Sequence, residues 1–311
     1  MATSGSKNYT VTRATIIETA LRKLGAYDQG EAVSGDETSA ASIALNLMVK
    51  EWVARGIDIW LRDDVTLFLQ PNTQSYTLGG SAHATVTPLE TTLSAAGAAS
   101  ATSLSVTSSS SMTVSDNIGI KLDDDSIHWT TISTIPTSTS ITIASGLASA
   151  ASSGNNVYFY TTASGRPQEI VYAYRRDKNG IDNEVNIIGE KEYKRQSNKA
   201  STGPPVEVYY QPTLSSGTLY VWPVDGGADW DKLVLSCNFL PDDFDAASDN
   251  PEFPIEWANA LVWGLAAELG SEYGLDEREQ AKLWRISEFK LNELLDYDVE
   301  NASVIFELGM E

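Results

Sequence analysis

The sequence predicts an α+β fold: a helical bundle of two N-terminal and two C-terminal helices with a β region, plus an inserted all-β sandwich or barrel domain. Three observations predict it. Apolar residues recur at helical spacing near both ends of the chain. They alternate as strands do across the middle, and the alternation persists through a stretch dominated by Ser and Thr. A chain of 311 residues has room for about two domains, each with its own core.

From the N-terminus, Thr12 caps a helix whose face is Ile16, Ile17, Ala20, Leu21 and Leu24, with Gly25 as its stop. After the polar turn from Gly30 to Gly35, Ser34 or Asp36 caps a second helix. Its expected buried face is Ala40, Ile43, Ala44, Leu47, Met48 and Trp52, and Gly56 supplies the left-handed residue that closes it. The period then changes. Ile57, Ile59 and Leu61, then Val65, Leu67 and Leu69, alternate as strands do. Pro71-Asn72 turns the chain, and Tyr76-Thr77-Leu78 is a short strand that ends in a flexible joint at Gly79-Gly80.

From 88 to 160 the composition shifts, and of the 20 residues from Thr91 to Ser110, 11 are Ser or Thr. Such bias often marks disorder, but Leu104 and Val106, Ile118 and Ile120, Ile127 and Trp129, Ile141 and Ile143, and Val157 and Phe159 alternate. Turn signals separate these pairs at Asp116-Asn117, Asp123-Asp124-Asp125-Ser126, Pro136 and Gly154-Asn155-Asn156. Segment 88–160 is therefore expected as a small sandwich or barrel. It interrupts a core made of 1–87 and 161–298, and 299–311 is expected as an extended tail. Within 161–298, strands are expected at Glu169 to Tyr174, Val185 to Ile188, Val206 to Gln211, Thr218 to Pro223 and Leu233 to Leu240. Pro254 then opens a helix carrying Ile255, Ala258, Val262, Leu265, Ala266 and Leu269. A last helix, from Asp276 to Tyr297, places Leu283, Trp284, Ile286, Leu291, Leu294 and Leu295 on one side.

A net charge of −21 argues against ordinary nucleic-acid binding, which needs clustered cations to displace counterions. The charge is uneven: from Pro241 onward there are 18 acidic and 4 basic side chains, a net of −14. That reads either as a solvated helical surface or as a surface that lets DNA pass without holding it. No apolar run reaches the ~20 residues a bilayer span needs, and Met1 to Thr10 lacks the apolar core of a signal peptide. Cys237 stands alone, so neither an intrachain disulfide nor a cysteine metal site is expected, as in a chain that matures in a reducing cytoplasm.

Enzyme signatures are scarce. The sequence has no Gly-rich phosphate loop, no Gly-x-Ser-x-Gly elbow and no His-Glu-x-x-His. Its two histidines, His83 in the joint and His128 beside Trp129, read as structural. Asp123, Asp124 and Asp125 lack the glycine and distal glutamate of an EF-hand loop and read as a hairpin turn. Asp242, Asp243, Asp245 and Asp249 are a looser version of the same case. With 42 acids in the chain, a carboxylate pair spaced for glycoside hydrolysis carries no weight. The one basic stretch, Arg175 to Lys199, is interrupted by acids and reads as solvated loops, with an acidic partner or DNA as the second reading. No catalytic, cofactor-binding or metal residue is assigned, and neither enzyme activity nor a cofactor is expected.

Particular phrases, in order, resemble the head-to-tail adaptor family of short-tailed bacteriophages, also called tail accessory factors or packaged-DNA stabilisation proteins. They are Leu45-Asn46-Leu47-Met48-Val49-Lys50-Glu51-Trp52 closed by Arg55-Gly56, Tyr76-Thr77-Leu78-Gly79, Arg166-Pro167 and Glu192-Tyr193. After them come Gly203-Pro204-Pro205, Leu219-Tyr220-Val221-Trp222-Pro223, and the acidic loop from Asp242 to Asp249 that leads to Pro254. The resemblance covers about three-quarters of the chain, and the Ser/Thr-rich insertion departs from the compact form of the family.

The resemblance implies a dodecameric ring under the portal protein that extends the DNA channel, retains packaged DNA and seats the next tail component. The implied partners are other copies of the chain, the portal, a tail tube or nozzle protein and possible tail fibres. Double-stranded DNA passes through the lumen without sequence-specific binding, and no membrane is involved. The implied location is the head–tail junction of the virion, after assembly in the host cytoplasm. The family's C-terminal segment reaches into the portal, which makes Val304, Ile305, Phe306 and Leu308 the candidate portal-binding residues. The alternative is a tail-associated glycan-binding or cell-wall-degrading protein, with 88–160 as the receptor or glycan binder.

Overall fold

The computed structural model describes residues 9–28, 30–56, 61–80, 83–227 and 230–297. The chain is a mixed α+β protein that divides into two compact units, residues 1–61 with 240–311 and residues 62–239. The division separates helices from strands. Helices α1 (Arg13–Leu24) and α2 (Gly35–Ala54) lie in the first unit, α3 (Glu190–Arg195) in the second, and α4 (Ala258–Leu269) and α5 (Glu277–Tyr297) again in the first.

In the helical unit, the local signals act as expected. The Thr12 hydroxyl accepts the Thr15 N–H at 3.3 Å, and Gly25 ends α1 at φ 80°. The Ser34 hydroxyl accepts the Glu37 N–H at 3.3 Å and opens α2. Helix α4 is apolar almost all round and buried accordingly, with α1, α2 and α5 packed on it. Helix α2 meets α4 at Gly264, where an added Cβ would lie 2.6 Å from Met48 Sδ and 3.0 Å from Trp52 Cζ2.

The face of α2 differs from the expectation. Ala41, Leu45, Met48, Val49, Trp52 and Val53 are buried, whereas Ile43 and Leu47 are 63% and 67% exposed. The helix carries two adjacent apolar stripes, and α4 covers only one. Helix α5 likewise buries Leu283 and Leu291 but leaves Trp284 and Leu295 exposed, because a surface helix presents a narrower strip to its neighbour. The acidic loop before α4 is held inside this unit. Phe244 is buried, its N–H donates to Asn46 Oδ1 at 2.9 Å, and Arg13 Nη1 donates to the Phe244 carbonyl at 2.9 Å.

The second unit holds three sheets. Strands β1 (Arg62–Phe68), β3 (Ala84–Thr85), β10 (Glu169–Asp177), β11 (Asp182–Glu184) and β15 (Trp230–Asn238) form one, in the order β11-β10-β15-β1-β3. Strands β2 (Ser75–Leu78), β12 (Asn186–Ile187), β13 (Glu207–Pro212) and β14 (Gly217–Trp222) form the second, β12-β13-β14-β2. These two share a core of Leu67, Leu233, Leu235 and Cys237 with Leu78, Val208, Leu219 and Val221. Ile57 and Ile59, expected to begin this region, lie outside the described residues. Helix α3 was not anticipated: it is short and charged, and only Tyr193 is buried, against Tyr209 and Tyr220 at 5.7 and 5.0 Å between ring centres.

The third sheet comprises β4 (Leu89–Thr92), β5 (Ser103–Ser105), β6 (Asn117–Lys121), β7 (Ile127–Thr137), β8 (Ser140–Ile143) and β9 (Asn156–Tyr160), ordered β4-β9-β6-β7-β8-β5. It curls until its two edges meet at Leu93 and Val106, where Thr107 N–H donates to Thr92 O at 2.9 Å and Ser94 N–H to Ser105 O at 3.0 Å. Alternate residues Leu104, Ile118, Ile120, Ile141, Ile143 and Val157 fill its interior. Pro136, expected as a turn, lies inside β7. There the register with β8 slips between Thr134 and Thr137, so the missing N–H interrupts no regular ladder.

An aromatic seam ties this sheet to β1. Phe68 packs 4.6 Å from Tyr158 and 5.3 Å from Trp129, measured between ring centres. Gln70 acts as a clamp beside them, its Nε2 donating to Ile127 O at 2.7 Å and its Oε1 accepting Ile127 N–H at 3.0 Å. His83, expected in a flexible joint, instead packs edge-on against Tyr76 and Trp129 at 6.2 and 5.8 Å.

Candidate functional site

The exposed stripe of α2 places Ala40, Ile43, Ala44 and Leu47 at positions i, i+3, i+4 and i+7, one above another on the helix. They floor a groove of about 360 Å³ whose rim carries Glu51 of α2, Glu268 of α4 and Glu272 from the turn after α4. Burial raises the proton affinity of Glu268, and the charge of Glu51 raises it further, while Arg55 opposes both. Arg55 is paired with Glu51 one turn along the helix. An apolar floor with a carboxylate rim suits an apolar segment flanked by cations. The lining offers no thiol, hydroxyl, imidazole or amine for group-transfer chemistry.

The side chains singled out in the sequence fall into local structural roles. Asp123 accepts hydrogen bonds from Ser152 N–H at 2.8 Å and Asn155 Nδ2 at 2.9 Å, and these bonds hold its carboxyl below the usual range. Asp124 is lowered in the same way by Ser126 within the β6–β7 turn. Asp243 pairs with Lys50 at 2.9 Å, and Asp249 accepts the Ala246 N–H at 2.5 Å. His128 Nε2 lies 3.3 Å from Ser145 O at the surface, and burial lowers the proton affinity of His83. In the basic stretch, Arg176 holds Asp182 through two bonds of 2.7 and 2.8 Å, and Lys194 pairs with Glu190.

Among the described residues, no group of three or more His, Cys, Asp or Glu is gathered as a metal site requires. No helix among them is long and apolar enough to cross a membrane. Val304, Ile305, Phe306 and Leu308 lie outside the described residues. Helical spacing alone groups Ile43 and Leu47 with Met48 and Trp52 and so hides the groove. Its signal was nonetheless in the sequence: α2 has more apolar positions than one buried face can take. No protein-family model matches the chain, and no curated protein matches it significantly.

Proposed function

We propose that this chain is a structural connector subunit of a phage virion. It forms a ring under the portal that extends the DNA channel, retains packaged DNA and seats the next tail component. The observation that carries the reading is the acid-rimmed apolar groove of α2, a surface shaped for another protein chain rather than for a reaction. The resemblance in the order of sequence phrases gives the assembly its identity. In this reading α1, α2, α4 and α5 are the family's helical bundle and 88–160 is an added domain. The net charge of −21 lets DNA slide through a lumen rather than stick to it. In segment 88–160 the rings of Tyr158, Phe159 and Tyr160 are buried and Trp129 packs in the seam, so they offer a glycan no exposed stacking platform.

The portal contact belongs to Val304, Ile305, Phe306 and Leu308, an apolar motif that buries its side chains on the portal. Repetition around a ring converts weak single contacts into avidity. Co-sedimentation with the portal protein of the same genome tests both statements. The full chain is expected to co-sediment, and a chain lacking 300–311 is expected to stay folded and fail to dock. Undiminished docking of the truncated chain refutes the role of the tail. A folded full chain that never associates at near-physiological salt refutes the connector reading.

A further inference from the structure

We propose that the α2–α4 groove is filled by helix α5 of a second copy of this chain, so that copies associate head to tail. The inference rests on the ring reading and names the contact that builds the ring. Helix α2 is apolar over far more of its circumference than α4 covers, and a helix of that kind is normally covered on its other flank as well. Glu51 on the rim is already paired with Arg55, but Glu268 and Glu272 favour an occupant that brings cations.

Helix α5 presents three cations and an aromatic ring, and the aliphatic stems of the cations supply apolar surface for the floor. Arg278, Lys282, Arg285 and Phe289 follow at i, i+4, i+7 and i+11, one exposed stripe with Phe289 58% exposed at its end. None of the three cations makes an ion pair among the described residues. They are three of the 4 basic residues in a region of net charge −14, so their alignment is not the by-product of a basic surface. The two stripes also match in length. Ala40 to Glu51 and Arg278 to Phe289 both advance eleven residues, roughly 16 Å of helix.

Other occupants from the same chain fit less well. The apolar motif at Val304 carries Glu300, Glu307 and Glu311 with it and would set like charges against the rim. In the 175–199 stretch, Arg176 and Lys194 are already held by Asp182 and Glu190. Burial and Glu51 disfavour the charged form of Glu268, Arg55 opposes them, and the opposite charge of an incoming guanidinium adds to that opposition. In the ring reading the groove of one copy takes the ridge of the next, a heterologous contact that closes into a ring or grows as a filament according to its rotation.

Sedimentation velocity of the full chain at low and high salt tests the contact. Wild type is expected to associate, less so at high salt. The Glu268→Lys/Glu272→Lys pair and the Arg278→Glu/Lys282→Glu/Arg285→Glu triple are each expected to weaken association about tenfold or more. Both sets combined in one chain restore complementarity and association. Circular dichroism confirms that each variant is folded, and Leu47→Asp, at an exposed site, provides a second disruption should a charge set fail to fold. A wild type that stays monomeric at the highest concentration reached overturns the inference. So does association indifferent to both charge sets, or folded combined variants that do not reassociate. The connector reading is judged separately: a chain that docks on the portal while ignoring these charges keeps that reading and loses this contact.

Discussion

Leu45→Ala and Leu47→Ala, made two residues apart on α2, separate its two apolar stripes. Leu45 is 0% exposed among α4 and its neighbours, and Leu47 is 67% exposed in the groove. Removing a fully buried leucine side chain costs its transfer energy plus a cavity, about 2–5 kcal/mol. At Leu47 most of the side chain already meets water, so the change is expected to stay within about 0.5 kcal/mol. Urea unfolding, followed by tryptophan fluorescence at a dilution where the chain is monomeric, measures both. Trp52 and Trp257 lie 6.3 Å apart, ring centre to ring centre, in the core that Leu45 supports. A Leu47→Ala loss equal to or larger than that of Leu45→Ala would mean that the stripe of Ile43 and Leu47 faces inward, and the groove would not exist.

Three further outcomes follow from the β unit. Gly217→Ala puts a Cβ into the Tyr210 ring and displaces a hydroxyl that donates to Pro167 O at 2.6 Å. It should destabilise by about 1–3 kcal/mol in thermal unfolding, and a neutral effect would contradict the close approach. Gln70→Ala leaves the N–H and carbonyl of Ile127 without their clamp, at about 1–3 kcal/mol, and amide exchange at Ile127 should accelerate. Unchanged protection there would show that the seam does not need Gln70. Burial, aided by Asp64, pushes the Cys237 thiol up to about 12 from 9.0. The folded thiol therefore keeps its proton where the unfolded one ionises. Its contribution to stability is full below pH 9 and falls as the pH rises towards 12. A thiol reagent at pH near 8 should leave the folded chain unlabelled and react on unfolding, and rapid native labelling would contradict the burial.

What the sequence made legible was what local chemistry decides. The caps at Thr12 and Ser34 and the stop at Gly25 act within a few residues, and alternation from Leu104 to Phe159 marked the strands of the third sheet despite its Ser/Thr bias. Pairings such as β1 with β15, which sets Leu67 against Leu233, depend on segments far apart and left no local trace. The candidate site was half legible for the same reason. The excess of apolar positions on α2 was visible, but which stripe α4 would cover depended on Gly264 admitting Met48 and Trp52 rather than Ile43 and Leu47. Pro136 misled because a slip in register, and not a turn, accommodates it. Helix α3 was hidden by its charged composition, since a single tyrosine anchors it.

Electron microscopy of the purified chain mixed with the portal protein of the same genome tests the connector reading most directly. A closed ring capping one end of the portal, with a discrete gain in mass equal to one ring of subunits, is the expected result. Folded protein that leaves the portal bare, or decorates it as scattered single copies, contradicts the reading.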